Sequence, residues 1–275
     1  MPRAIWSGSL GFGLVNVPVK LFTAVEEKGI RFHQFKEGST HRVRNKRVDE
    51  DTGKEVDYDK VVKGYEISKG KYVMLTPEEL ESVEPGRTRT IEIEDFVDLD
   101  DVDPIYFDRT YYLAPDGDAA KKPYALLLDA MSRTGKVAIA RFVMRTKQYL
   151  AAVRAGDGVL LLETMHFHDE IRATKDLDAL PAKSTKVPDK ERKIAEQLIR
   201  SMATDFDPSR YEDTYRAAVL KLIKRKGKGE EIEVEPRAEE DTKVVDLMAA
   251  LEASVKEARK GREKPKARTT KKKAS

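Results

Sequence analysis

Apolar Val15, Val17, Val19 and Leu21 alternate with Asn16, Pro18 and Lys20, the period-two pattern of a strand with one buried face. Lys71–Leu75, Thr90–Phe96, Ile105–Leu113 and Lys136–Met144 are rich in β-branched and aromatic residues and predict further strands. Gly156-Asp157-Gly158 predicts a turn between a strand over Gln148–Arg154 and one running from Val159 to Phe167. Two helices interrupt this pattern. Thr76-Pro77-Glu78-Glu79 is a capping box with proline at the first helical position, opening a short helix that ends near Val83. Tyr124–Arg133 has helical character, and Gly135 can close it in the left-handed conformation. Many strands with few helices predict a mainly-β core, a barrel or a sandwich, over residues 1–180.

Beyond residue 180 the period changes. Residues 181–188 read as a linker between Pro181 and Pro188. Residues 189–229 are helical by pattern. Ile194, Leu198 and Met202 form one stripe; after Asp207-Pro208, Tyr215, Ala218, Val219, Leu222 and Ile223 form another, ended by Gly227 and Gly229. Residues 230–275 hold a third periodic segment, with Val244, Met248, Leu251, Val255 and Ala258 on one face, and then a basic, flexible tail containing Pro265.

Charge sharpens this outline. From Arg259 onward there are nine Lys or Arg against Glu263, while the rest of the chain carries 43 basic and 48 acidic residues. Such a tail points to a polyanion, most often nucleic acid, with a solvated solubility tail as the alternative. The chain has no cysteine, which excludes disulfides and thiolate metal sites and fits a reducing cytoplasm. No run approaches the roughly 18 apolar residues of a membrane span, and Met1–Leu10 lacks the apolar stretch of a signal peptide.

Catalytic chemistry finds little support. Gly8-Ser9-Leu10-Gly11-Phe12-Gly13 is not followed by Lys-Ser/Thr or a helix, so it reads as a turn between strands rather than a phosphate cradle. His166, His168 and Asp169 could share a metal if residues 166 and 168 lay on one strand face, yet their surroundings read as an ordinary sheet strand. Ser7, Ser9, Thr23 and Ser39 lack a nucleophile context. Seven carboxylates between Glu92 and Asp103 read as a solvated acidic face, turned away from any polyanion. The segment His41-Arg42-Val43-Arg44-Asn45-Lys46-Arg47 is more informative. If extended, it projects Arg42, Arg44 and Lys46 from one face about 7 Å apart, close to the step between phosphates along a DNA strand. That arrangement suits backbone contact without base reading. A solvated hairpin edge guarded by charge is the equal alternative on these residues alone.

Four stretches resemble bacterial Ku. They are Arg3-Ala4-Ile5-Trp6-Ser7-Gly8 with Phe12-Gly13-Leu14-Val15-Asn16-Val17-Pro18-Val19-Lys20; Ile30-Arg31-Phe32-His33-Gln34; Val102-Asp103-Pro104 with Phe107-Asp108-Arg109-Thr110-Tyr111-Tyr112-Leu113; and Asp205-Phe206-Asp207-Pro208 with Tyr211, Asp213, Thr214 and Tyr215. They fall in the family's order across most of residues 3–223. The resemblance implies a Ku-type β-barrel core with an extended bridge, followed by a helical C-terminal arm. It further implies a homodimer closing a ring around duplex DNA, recruitment of ligase D in non-homologous end joining, and no catalytic activity, cofactor or membrane association. The expected location is cytoplasmic, on the nucleoid.

On this reading the DNA-binding candidates are Arg31, Arg42, Arg44, Lys46, Arg47, Lys54 and Lys63, joined in the tail by Lys264, Lys266, Arg268, Lys271, Lys272 and Lys273. Tyr211, Tyr215 and Leu222 are the candidate partner contacts. Many relatives carry a Cys-x-x-Cys pair after the basic segment; here Asp49 and Thr52 occupy those places, so no zinc is expected there. A general DNA-compacting protein and a metal-dependent nuclease using His166, His168 and Asp169 are the competing readings.

Overall fold

β1 (Trp6–Phe12) and β2 (Val15–Thr23) form the first hairpin of a computed structural model that describes residues 2–83, 89–182, 184–232 and 254–255. After β2 the chain leaves on a long excursion, which contains β3 (Lys63–Ser68), β4 (Lys71–Leu75) and α1 (Pro77–Ser82). It returns as β5 (Thr90–Asp98), followed by β6 (Phe107–Pro115), α2 (Asp118–Thr134), β7 (Lys136–Met144), β8 (Lys147–Ala155) and β9 (Leu160–Met165). Seven strands close into a barrel in the order β1-β2-β6-β9-β8-β7-β5. Every neighbouring pair is antiparallel except β1 with β5, which is parallel.

Alternation fills the barrel. Leu10, Val17, Val19, Leu21, Ile91, Leu113, Ala140, Val153, Leu160 and Leu162 are fully buried in one cluster. α2 adds Tyr124, Leu127 and Met131, one turn apart on its inner face. The opposite face of β7 and β8 buries Val137 and Ala152, with Met165, in a second cluster partly covered by Val102, Tyr106 and Phe107. Trp6 packs edge-on to Phe142 at 5.9 Å and donates its indole N–H to the Val143 carbonyl at 3.1 Å, tying β1 to β7.

The expected turn at residues 8–13 is instead strand as far as Phe12, and only Gly13 and Leu14 turn. Gly8 is there for packing: an added Cβ would collide with the Trp6 ring and the Arg89 carbonyl. α2 begins six residues before the predicted Tyr124, with Pro123 inside it. The early turns bury Ala120, and that packing carries the helix past a proline that cannot donate its backbone hydrogen bond. Ile105 lies in a short 3-10 turn over Pro104–Tyr106, so β6 starts at Phe107. β9 ends at Met165 and His168 enters another 3-10 turn, so His166 and His168 do not share a strand face. Gly135 closes α2 with φ 65°, as its position predicts.

The chain divides into two units, residues 1–176 and 177–275. The described part of the second contains α3 (Asp189–Met202) and α4 (Thr214–Lys226). Neither helix buries a residue fully. Phe206 and Tyr211, between them, stack at 6.0 Å. The predicted stripe from Val244 to Ala258 lies outside the described residues, apart from Val255.

Candidate nucleic-acid interface

The excursion between β2 and β5 is held by local turns. In its first hairpin Phe35 bridges Arg42, and the Val43 N–H donates to the Gln34 carbonyl at 2.9 Å. In its second, Val48 bridges Glu55, the Asp49 N–H donates to the Lys54 carbonyl at 2.9 Å, and the Val56 N–H donates to the Arg47 carbonyl at 2.9 Å. Arg44 lies between the two, in backbone that is not regular strand. The expected basic strand over residues 41–47 is thus the connection between two small hairpins.

The turn of the second hairpin is a hydrogen-bonded knot. The Asp49 carboxylate accepts from the Thr52 N–H at 2.8 Å and from the Thr52 hydroxyl at 2.7 Å. Those two bonds, the hydroxyl's foremost, hold the Asp49 carboxyl below the ordinary carboxylate value. Gly53 follows with φ 65°, which glycine adopts without strain. Asp49 and Thr52 therefore close this turn by hydrogen bonding.

The basic candidates divide by place. Lys46, Arg47 and Lys54 share the second hairpin. Lys46 forms an ion pair with Glu55 at 2.6 Å, and the Arg47 guanidinium lies 4.8 Å from the centre of the Tyr58 ring. Arg42 belongs to the first hairpin and Lys63 opens β3. Arg31 lies elsewhere, lining a polar cavity of about 670 Å³ beside Arg109, Glu26, Glu27 and Asp108. The tail candidates Lys264, Lys266, Arg268, Lys271, Lys272 and Lys273 lie outside the described residues. Sequence reasoning missed Tyr58 as the partner of Arg47 and Arg109 as the neighbour of Arg31. Neither is signalled by spacing, because both contacts are made by folding. It also missed β3, where only Tyr65 and Ile67 alternate with Glu66, too short a run to stand out as a strand.

Charge along the excursion is polarised. Residues 28–48 carry Lys28, Arg31, Lys36, Arg42, Arg44, Lys46 and Arg47 against Glu37 alone. Residues 49–59 carry Asp49, Glu50, Asp51, Glu55, Asp57 and Asp59 against Lys54. Lys54 thus lies within the acidic stretch of the sequence, whereas Arg42, Arg44, Lys46 and Arg47 lie within the basic one. The carboxylates of β5 are partly engaged by β7: Glu94 pairs with Arg141 at 3.1 Å and Asp98 with Lys136 at 2.8 Å.

The apolar residues of the excursion are as exposed as its charged ones. No residue from Glu26 to Ser82 is buried. β3 and β4 pair only with each other, and Tyr65, Ile67, Tyr72, Val73 and Met74 are all exposed. A lone two-stranded ribbon is at best marginally stable in water, and a contiguous apolar surface of this kind marks an interaction site. Among the described residues no three metal-ligating side chains converge, and no helix is long and apolar enough to cross a membrane.

Fold and site together define a β-barrel scaffold whose candidate interface is carried by an exposed insertion rather than by a cleft. The family model described as the Ku70/Ku80 beta-barrel domain matches residues 11–197. The chain belongs to the Ku family. It is 49% identical to the non-homologous end joining protein Ku 1 of Saccharopolyspora erythraea, over 95% of this chain and 81% of that one. It is 48% identical to the Ku protein of Anaeromyxobacter sp., over 94% and 87%, and 40% identical to that of Bacillus subtilis, over 96% and 86%.

Proposed function

We propose that this chain binds the ends of double-stranded DNA in double-strand break repair by non-homologous end joining. In this reading two copies pair through their excursions and close a ring around the duplex. The ring reads no sequence and catalyses nothing; it recruits ligase D through the helical arm. It acts on the nucleoid in the cytoplasm.

The observation that carries the reading is the excursion itself. It is long, without a buried residue from Glu26 to Ser82 and basic in its first half, and the apolar side chains of its two-stranded ribbon are exposed. One partner alone would leave half of this surface unexplained. Phosphates account for the basic half but not for Tyr65, Ile67 and Val73; a second copy accounts for the apolar ribbon. The relatives named for non-homologous end joining supply the setting.

End preference then follows from topology. A closed ring can be loaded only over a terminus, so Arg42, Arg44, Lys46 and Arg47 need contact only phosphates. The arm offers Tyr211, Tyr215 and Leu222 as exposed apolar anchors of the kind enriched at protein interfaces. A gel-shift comparison of linear and relaxed circular duplex of the same length tests the reading. Tight binding to the linear form with only weak, salt-sensitive binding to the circle is expected. Equal affinity for both would replace the ring with a general DNA-compacting protein.

A further inference from the structure

α4 differs in charge from the helix before it. α3 mixes its signs: Asp189, Glu191 and Glu196 lie among Lys190, Arg192, Lys193 and Arg200, and two of these basic residues pair along the helix, Arg192 with Asp189 at 2.6 Å and Arg200 with Glu196 at 3.7 Å. Residues 214–229 contain no acidic residue and six basic ones, Arg216, Lys221, Lys224, Arg225, Lys226 and Lys228. Arg225 pairs with Glu230 at 2.8 Å. Lys221, Lys224 and Lys228 have no ion pair among the described residues, and every residue from Leu220 to Glu230 is exposed.

These three lysines are also grouped in space. At 100° per residue they fall in a sector of about 60°, opposite the stripe of Tyr215, Val219 and Leu222. The chain keeps turning past the end of α4, with the Lys228 N–H donating to the Arg225 carbonyl at 3.0 Å, so Lys228 continues the row. Along the axis the steps are about 4.5 and 6 Å. The helix dipole favours cations in the last turn and so accounts for Lys224, Arg225 and Lys226. It does not account for Lys221, which lies before that turn. Like charges three and four residues apart repel, and α3 shows that this chain mixes signs where a helix need only be soluble. A row of unpaired lysines fits a row of phosphates, which carry a negative charge about every 1.7 Å of duplex axis.

We propose that the Lys221–Lys224–Lys228 face of α4 is a second contact for the DNA phosphate backbone, separate from the excursion and back-to-back with the apolar stripe assigned to a protein partner. This rests on the DNA-binding reading above and extends it to the arm. One helix would then hold duplex on one side and protein on the other.

The test uses the full chain with Lys221, Lys224 and Lys228 all changed to Gln, in a salt titration of binding to a linear duplex. All three side chains are exposed, and circular dichroism should give the wild-type spectrum and melting curve. Loss of three phosphate contacts should make the log–log salt slope shallower by up to about 2.7. The triple Lys→Arg variant, which keeps the charge, should restore it. An unchanged slope in the Gln variant would overturn the proposal. So would an unchanged slope with loss of ligase D capture, which would assign the basic face to an acidic protein surface. If the wild-type chain itself failed to bind linear duplex, the DNA-binding reading would fall; if it bound normally and only the variant comparison failed, the α4 contact alone would.

Discussion

Tyr124 joins three elements through one hydroxyl. It donates to the Leu113 carbonyl at 2.7 Å and accepts from the Leu160 N–H at 2.8 Å, both bonds buried, so α2 is fastened to β6 and β9. Burial holds its phenol above the ordinary value, the bond from Leu160 opposing that only in part. The folded state therefore favours the neutral form. Tyr124's contribution to stability is intact below the ordinary tyrosine value and declines as pH rises from there through the raised folded value. Tyr124→Phe would strand two buried backbone groups and is expected to cost about 1–3 kcal/mol in chemical denaturation; a change within error would show that water replaces the hydroxyl. Asp49 titrates in the opposite sense. Its carboxyl is depressed, so the support it gives its turn is present above the ordinary carboxylate value and lost as pH falls through the folded value. Thr52→Val should raise the Asp49 value toward the ordinary one in a carboxyl NMR titration, and no movement would mean the hydroxyl bond does not form in solution.

The elements show what a sequence can and cannot disclose. β2 was legible because Val17, Val19 and Leu21 face a core while Lys20 does not. The capping box at Thr76 was legible because its partners lie three residues apart, and both reciprocal bonds form, at 2.8 and 3.2 Å. β1 was obscured because its glycines serve the Trp6 ring and neighbouring backbone rather than a turn. β3 was obscured because its alternation is short, Tyr65 and Ile67 about Glu66, and all six of its residues are exposed. Of the candidate site, the charge of Arg42, Arg44, Lys46 and Arg47 could be read directly. The pairing of Lys46 with Glu55 and the stacking of Arg47 on Tyr58 could not, since hairpin geometry makes them. The arm carries its own prediction. A chain ending at Pro188 should retain binding to linear duplex but fail to capture ligase D in a pull-down, because Tyr211, Tyr215 and Leu222 are gone. Undiminished capture would move the ligase contact to the barrel.

At the scale of the whole molecule the account depends on two copies. A single chain leaves Tyr65, Ile67, Tyr72, Val73 and Met74 in water on a ribbon with no third strand, an arrangement that a partner surface would stabilise. Sedimentation equilibrium of the 31.1 kDa chain at micromolar concentration should return about twice that mass, and a monomer there would remove the ring. Closure itself is tested most directly by trapping. The protein is loaded on linear duplex, the DNA is circularised by ligation, and salt is raised to a level that strips it from DNA left linear. A closed ring predicts that protein stays on the circle and is released when a restriction enzyme reopens it. Equal loss from circle and linear DNA would contradict the topological account.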